Sequence, residues 1–263
     1  MNILALKLIL APLIIGGASL AGRRWGPAVS GWLVGMPLTS GPVLFFLALS
    51  HDSAFAASAA LGTLSGGLSL VVFCLSYAWL AVRFKWPLAL TGSILCFAAV
   101  TILMQNIILP LAPIFVLVVL SILIGVWLMP KGTELKANET RPGSWDIPAR
   151  VLIGTSFILG LTGIAPLIGP RLTGLLSTIP LYTAILTIFA HRLQGGAGAA
   201  SVLRGLLLGL FSFAGFFLVQ ALLIQSAGIA ISFLAAIFTT LVIQGLSYLR
   251  LKKSSQEISE KVQ

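Results

Sequence analysis

Apolar residues fill this chain in long runs, and the polar positions between them are sparse enough to count the runs. Breaking the chain at charges and turn residues leaves nine segments, at about 3–21, 28–50, 54–82, 86–105, 107–129, 148–166, 171–190, 197–225 and 229–249. Each approaches the roughly 20 residues that carry an α-helix across a hydrocarbon layer of about 30 Å, at a rise of about 1.5 Å per residue. The pattern predicts an all-α, polytopic membrane protein of about nine transmembrane helices. Between the fourth and fifth runs only Gln105, Asn106 and Pro110 mark a boundary. One long polar stretch, Pro130 to Ile147, carries Lys131, Glu134, Lys136, Glu139, Arg141 and Asp146 and reads as a linker. The run from Asn2 to Leu20 holds Lys7 and is followed by Arg23 and Arg24, the reverse of a signal peptide's charge order, so a retained first helix is expected.

Composition narrows the solvent. Of the 263 residues 58% are hydrophobic and 8% charged, with a mean hydropathy of +1.09. A soluble domain keeps about a quarter of its residues charged, so this chain is expected to use lipid as its solvent. The net charge of +10 forms no dense patch, which argues against nucleic acid. Cys74 and Cys96 both lie in apolar runs with no metal-like spacing, and no disulfide framework or metal is expected. No nucleophile–base pair or phosphate-binding glycine loop is present either, so no catalytic residue and no cofactor are assigned.

The charges then orient the helices. With nine spans, one side receives Arg23, Arg24, Arg83, Lys85, Lys131, Lys136, Arg141, Arg150, Arg192, Arg250, Lys252, Lys253 and Lys261. The other receives Lys7 and Arg171, and Arg204 lies within the eighth run. Positive charge marks the cytoplasmic side, so the N-terminus is expected outside and the C-terminus inside. An error of one span in the middle would scramble this segregation. The basic tail from Arg250 reads as a stop-transfer anchor, with a lipid-head-group site as the alternative.

An internal repeat sharpens the plan. At an offset of 143 residues, Gly26-Pro27 falls on Gly169-Pro170, Gly31 on Gly174 and Pro37-Leu38 on Pro180-Leu181. Without a gap, Ala57-Ser58 then falls on Ala200-Ser201, Gly62 on Gly205, Gly66 on Gly209 and Ser69 on Ser212. From Gly26 to Leu80, 19 of 55 positions are identical, and the matched Gly and Pro make coincidence a poor explanation. Corresponding runs are five spans apart, an odd number, so the two halves face opposite ways. The expected division is a first repeat at 1–106, a central helix and cytoplasmic linker at 107–147, a second inverted repeat at 148–250 and a polar tail at 251–263. Inverted repeats are a common plan of secondary transporters, with the substrate near the midplane between the halves.

The matched prolines supply the candidate site. Pro37 stands in Gly35-Met36-Pro37-Leu38-Thr39-Ser40-Gly41-Pro42, and Pro180 in Ser177-Thr178-Ile179-Pro180-Leu181-Tyr182-Thr183. Proline lacks an N–H and frees carbonyls in the preceding turn, and in lipid such breaks are tolerated where they line a cavity or pack on protein. The functional reading is a paired substrate site of Pro37, Thr39, Ser40, Thr178, Pro180 and Thr183. The plainer reading is two proline kinks with hydroxyl back-bonding. Arg204, whose repeat counterpart is Leu61, either faces a cavity, where it would suit an anionic solute or lipid phosphate, or snorkels to the interface. His191, at the cytoplasmic end of the seventh run, and His51 with Asp52, at the outer end of the second, are candidate proton or ligand contacts; the plainer reading makes them polar loop residues. The ladders Ser58, Gly62, Gly66 and Ser201, Gly205, Gly209 read as close helix packing.

The second half resembles the GlpM-type small bacterial inner-membrane proteins through Gly174-Leu175, Pro180, Ala190-His191 and Leu203-Arg204. The first half is similar through Gly31, Pro37 and the segment from Trp86 to Cys96, and departs at Leu61, where the family-like Arg is missing. The resemblance implies a fused, inverted pair of a unit otherwise found singly, in a bacterial inner membrane. Three functions follow as expectations. The first is a small-solute secondary transporter or permease, the second a protein that flips or presents an anionic lipid, the third a non-transporting scaffold of an envelope-polymer complex. The expected partners are the bilayer and an unidentified solute or anionic lipid, with a homodimer as candidate assembly.

Overall fold

The computed structural model describes residues 3–23, 32–130 and 146–261. Everything regular among them is α-helix: α1 (Ile3–Arg23), α2 (Ser40–Ser50), α3 (Ser53–Ala81), α4 (Trp86–Asn106), α5 (Leu111–Leu128), α6 (Asp146–Ile168), α7 (Pro170–Leu176), α8 (Leu181–Leu223) and α9 (Gly228–Lys261). Among the described residues six stretches are long and apolar enough to cross a membrane, namely α3, α4, α5, most of α6, the run Pro170–Leu223 and the Gly228–Leu246 part of α9. This is a helical, membrane-embedded chain.

The boundaries have local causes. Asp52 caps α3, its carboxylate accepting from the Phe55 N–H at 2.7 Å. Pro87 sits in the first turn of α4, where its missing N–H costs nothing. Residues 107–110 interrupt the helix between α4 and α5, which settles the boundary that the sequence marks least clearly. Gly195 takes φ +70° and ψ −167°, a conformation glycine adopts without strain, and divides α8 into arms 181–194 and 196–223. The second arm falls on the predicted eighth run, and the first holds only the latter half of the predicted seventh.

Two predicted spans differ from continuous helices. The second, at 28–50, is helical at 32–34, open at 35–39 and helical again as α2; the seventh, at 171–190, stops with α7 at Leu176 and restarts with α8 at Leu181. Each gap holds one of the matched prolines. The ninth run continues as helix well past 249, to Lys261. Gly26, Pro27, Gly31, Arg24, the Lys131–Arg141 linker charges and the side chains of Arg23, Arg150, Arg250, Lys252 and Lys253 lie outside what is described.

Burial separates centre from periphery. In α3, 78% of the apolar window is buried within the molecule, against 22% in α5 and in α9 and 28% in α4. The second arm of α8 joins α3 at the centre, while Leu95, Ile102, Trp127, Leu167 and Phe238 point outward, as lipid-facing side chains do. Lipid tails are as apolar as leucine, so association of such helices relies on close packing and hydrogen bonds. Small residues provide the closeness. A Cβ on Gly62 would overlap the Arg171 carbonyl, one on Gly174 the Ala59 carbonyl, one on Gly66 the Thr178 side chain, and one on Gly35 the backbone of Gly209. The contacts Gly66–Thr178 and Gly35–Gly209 interchange when each partner is moved by 143 residues. Hydrogen bonds provide the rest: Thr101 Oγ1 donates to Ser69 Oγ at 2.9 Å, and Thr63 and Ser177 share one at 3.1 Å.

Candidate functional site

The two helix breaks meet. Between them lies a cavity of about 40 Å³ lined from the first by Gly35, Met36, Leu38, Thr39 and Ser40, and from the second by Ser177, Thr178, Ile179, Pro180, Tyr182 and Thr183. Leu70 of α3 and Leu206, Leu210 and Phe213 of α8 close it. Five of the six residues read from the proline motifs thus line one space; Pro37 lines a neighbouring groove instead. α2 begins at Ser40 and α8 at Leu181, so both helices start at this cavity.

The polar groups divide into bonded and unbonded. Ser177 Oγ donates to the Gly174 carbonyl at 2.6 Å and Thr178 Oγ1 to that of Leu175 at 2.7 Å, the back-bonding of the plainer reading. Ser40 and Thr183 differ. They are 4% and 5% exposed, and their hydroxyls make no hydrogen bond to any described residue. Under the 143-residue offset they are counterparts. Thr187, one turn beyond Thr183, is fully buried and its hydroxyl is likewise unpaired among the described residues.

Backbone groups at the breaks are mostly accounted for. Met36 N–H donates to Leu33, Leu38 to Met36, Gly41 to Pro37, Val43 to Thr39, Leu181 to Ile179 and Ala184 to Pro180. The carbonyl of Trp32, the first described residue before the break, accepts from Gln244 Nε2 of α9 at 2.9 Å. A break inside lipid requires such partners.

Each break is flanked by an apolar groove. One, of about 510 Å³, is lined by Ile94, Phe97, Ala98, Ile179, Pro180, Leu181 and Ala184 among others. The second, of about 330 Å³, is lined by Met36, Pro37, Leu38, Gly41, Ile237, Thr240 and Leu241 among others. Seven of the thirteen lining residues of each groove, those named, correspond through the same offset of 143; the other six do not.

The remaining candidates lie elsewhere. Arg204 is exposed, donates to the Pro130 carbonyl at 3.1 Å and does not line the central cavity. His191 is within α8, not in a loop, and its Nδ1 lies 3.3 Å from Tyr77 Oη of α3. His51 stacks on Phe55 at 4.2 Å while Asp52 caps α3, so this pair serves the helix start. Arg171 caps the C-terminal end of α4 through the carbonyls of Met104 and Ile107, and Lys7 donates to Thr162 at 2.8 Å. No cluster of metal-ligating side chains occurs among the described residues.

Sequence reasoning missed Ser177, Tyr182 and Phe213 as lining residues. Ser177 and Tyr182 stand inside the motif containing Pro180, and its extent was the available signal; Phe213 follows Ser212 of the α8 ladder and carries none. No family model, curated protein or solved structure matches the chain.

Proposed function

We propose that this chain is a small secondary transporter whose solute binds where the two helix breaks meet. In this reading it has nine crossings, two inverted four-helix repeats joined by α5, an external N-terminus and a cytoplasmic C-terminus in a bacterial inner membrane. A GlpM-type origin for each half belongs to the same proposal and rests on the sequence motifs quoted above. No covalent step is assigned. The observation that carries the reading is the juxtaposition of the two breaks around one small cavity that Ser and Thr residues of both breaks line. Discontinuous helices at the interface of two repeats are where secondary transporters bind their substrates. The exchange of Gly66–Thr178 for Gly35–Gly209 supports a two-fold relation between the halves.

The test is flux. Purified protein in liposomes is offered small solutes under imposed proton and sodium gradients, beside Thr39→Ala and Thr178→Ala variants. Gradient-driven uptake that drops in the variants is expected; intact protein that moves no solute under any gradient would overturn the reading.

Lipid handling is the second reading, favoured by the two grooves beside the breaks, whose apolar walls suit an acyl chain. Lipid scrambling in protein-containing vesicles, with no solute flux, would replace the first reading with this one.

A further inference from the structure

We propose that the central cavity binds a small, singly charged anion, held by the hydroxyls of Ser40 and Thr183 and by the first turns of α2 and α8. This names the substrate class of the transporter reading and rests on it only for the place of the site.

Two helices start at the cavity, α2 with 11 residues and α8 with a first arm at 181–194. The N-terminal end of a helix carries a partial positive charge, and it does so here although Pro42 has no N–H and the Gly41, Val43, Leu181 and Ala184 N–H groups already donate to carbonyls of their own turns. Two such ends at one small space create a field that favours an anion. The second observation is independent of backbone direction. Ser40 and Thr183, one from each half, are more than nine-tenths buried, line the cavity and bond to no described residue. Both residues line the cavity, so a ligand there that accepts from both hydroxyls gains two hydrogen bonds to a charged acceptor.

The alternative of a bare cation fits less well. No Asp or Glu lines the cavity, whereas hard cations draw on carboxylate and carbonyl oxygens. Six carbonyls at the breaks, those of Leu33, Met36, Pro37, Thr39, Ile179 and Pro180, already accept N–H groups of their own turns. Equally, no Lys, Arg or His lines it, so the field is that of two helix ends and suits one charge. A cavity of about 40 Å³ admits an ion the size of one or two waters.

The experiment follows thermal unfolding of the detergent-purified full chain during titration with sodium chloride, nitrate and formate. Sodium gluconate serves as the oversize control and potassium formate as the cation control. The expected result is a saturable rise in midpoint for at least one small anion, the same with either cation and absent with gluconate. Ser40→Ala and Thr183→Val should each raise the half-saturating concentration about tenfold, the loss of one hydrogen bond to a charged acceptor. Ser40→Thr and Thr183→Ser should restore it. Overturning results are no saturable anion effect in a wild-type protein that unfolds cooperatively, an effect unchanged in the double variant, or one that follows the cation. Saturable anion binding with no flux in liposomes would sink the transporter reading alone; flux of another solute with no anion binding would sink this proposal alone.

Discussion

At the scale of the residue, what matters is direction more than depth. Arg204 lies within a membrane-length helix, but its guanidinium reaches the Pro130 carbonyl on an exposed face. Sequence gives a residue's position along a helix and not its azimuth, which is why the chain alone could not tell that Arg204 points away from the central cavity. Arg204→Leu should leave the anion's half-saturating concentration within about twofold of wild type, as measured by thermal titration. A tenfold loss would return the arginine to the site. Glycines discriminate more sharply. A Cβ on Gly174 would collide with the backbone of α3, whereas Gly160 has open space around it. Gly174→Val should therefore destabilise by about 1–3 kcal/mol, and Gly160→Ala should be neutral or stabilising by up to about 1 kcal/mol. Denaturant unfolding of the detergent-solubilised protein compares them. Equal effects would mean that the α3–α7 contact is looser than described.

At the scale of the element, the breaks at 35–39 and 177–180 carry the argument. Their positions were legible because Pro37 and Pro180 match across the repeat and stand among hydroxyl residues. Their depth was not: an apolar run of membrane length reads as one helix, and hydropathy cannot see that the chain loses helical geometry for five residues and then four. Nor could it reveal that the two gaps share a wall, because that depends on how α3 and α8 cross. Replacing Pro37 or Pro180 with alanine restores an N–H and a residue favourable to helix by about 3 kcal/mol relative to proline. Each substitution should draw its gap toward continuous helix and turn the adjoining first turn away from the cavity. The expected outcome is an anion affinity lowered about tenfold or more with no loss of thermal stability in the absence of anion. Unchanged affinity in both variants would mean that the prolines do not set the geometry of the breaks.

At the scale of the whole molecule, a buried pair of elements, α3 and the second arm of α8, holds the breaks together while α4, α5 and α9 present side chains outward. The all-helical class was legible in the chain, since hydropathy reports directly on lipid as solvent; of the nine runs it predicts, six stretches of membrane length stand among the described residues. The correspondence between the two flanking grooves, from Ile94 with Ile237 to Pro180 with Pro37, was latent in the same offset but needed coordinates to become a shape. The two grooves, partly matched in lining and unequal in volume, adjoin the breaks on which the proposed rocking of one half on the other, the motion alternating access requires, would act.

The most direct measurement is two-sided accessibility at the cavity. In a Cys74→Ala, Cys96→Ala background, Thr39→Cys and Thr178→Cys are labelled in turn with a membrane-impermeant thiol reagent applied to right-side-out and to inside-out vesicles. If the shared cavity opens alternately, each cysteine reacts from both faces, and saturating small anion slows both reactions. Labelling from one face only, or from neither in a folded protein, would contradict a central site with alternating access.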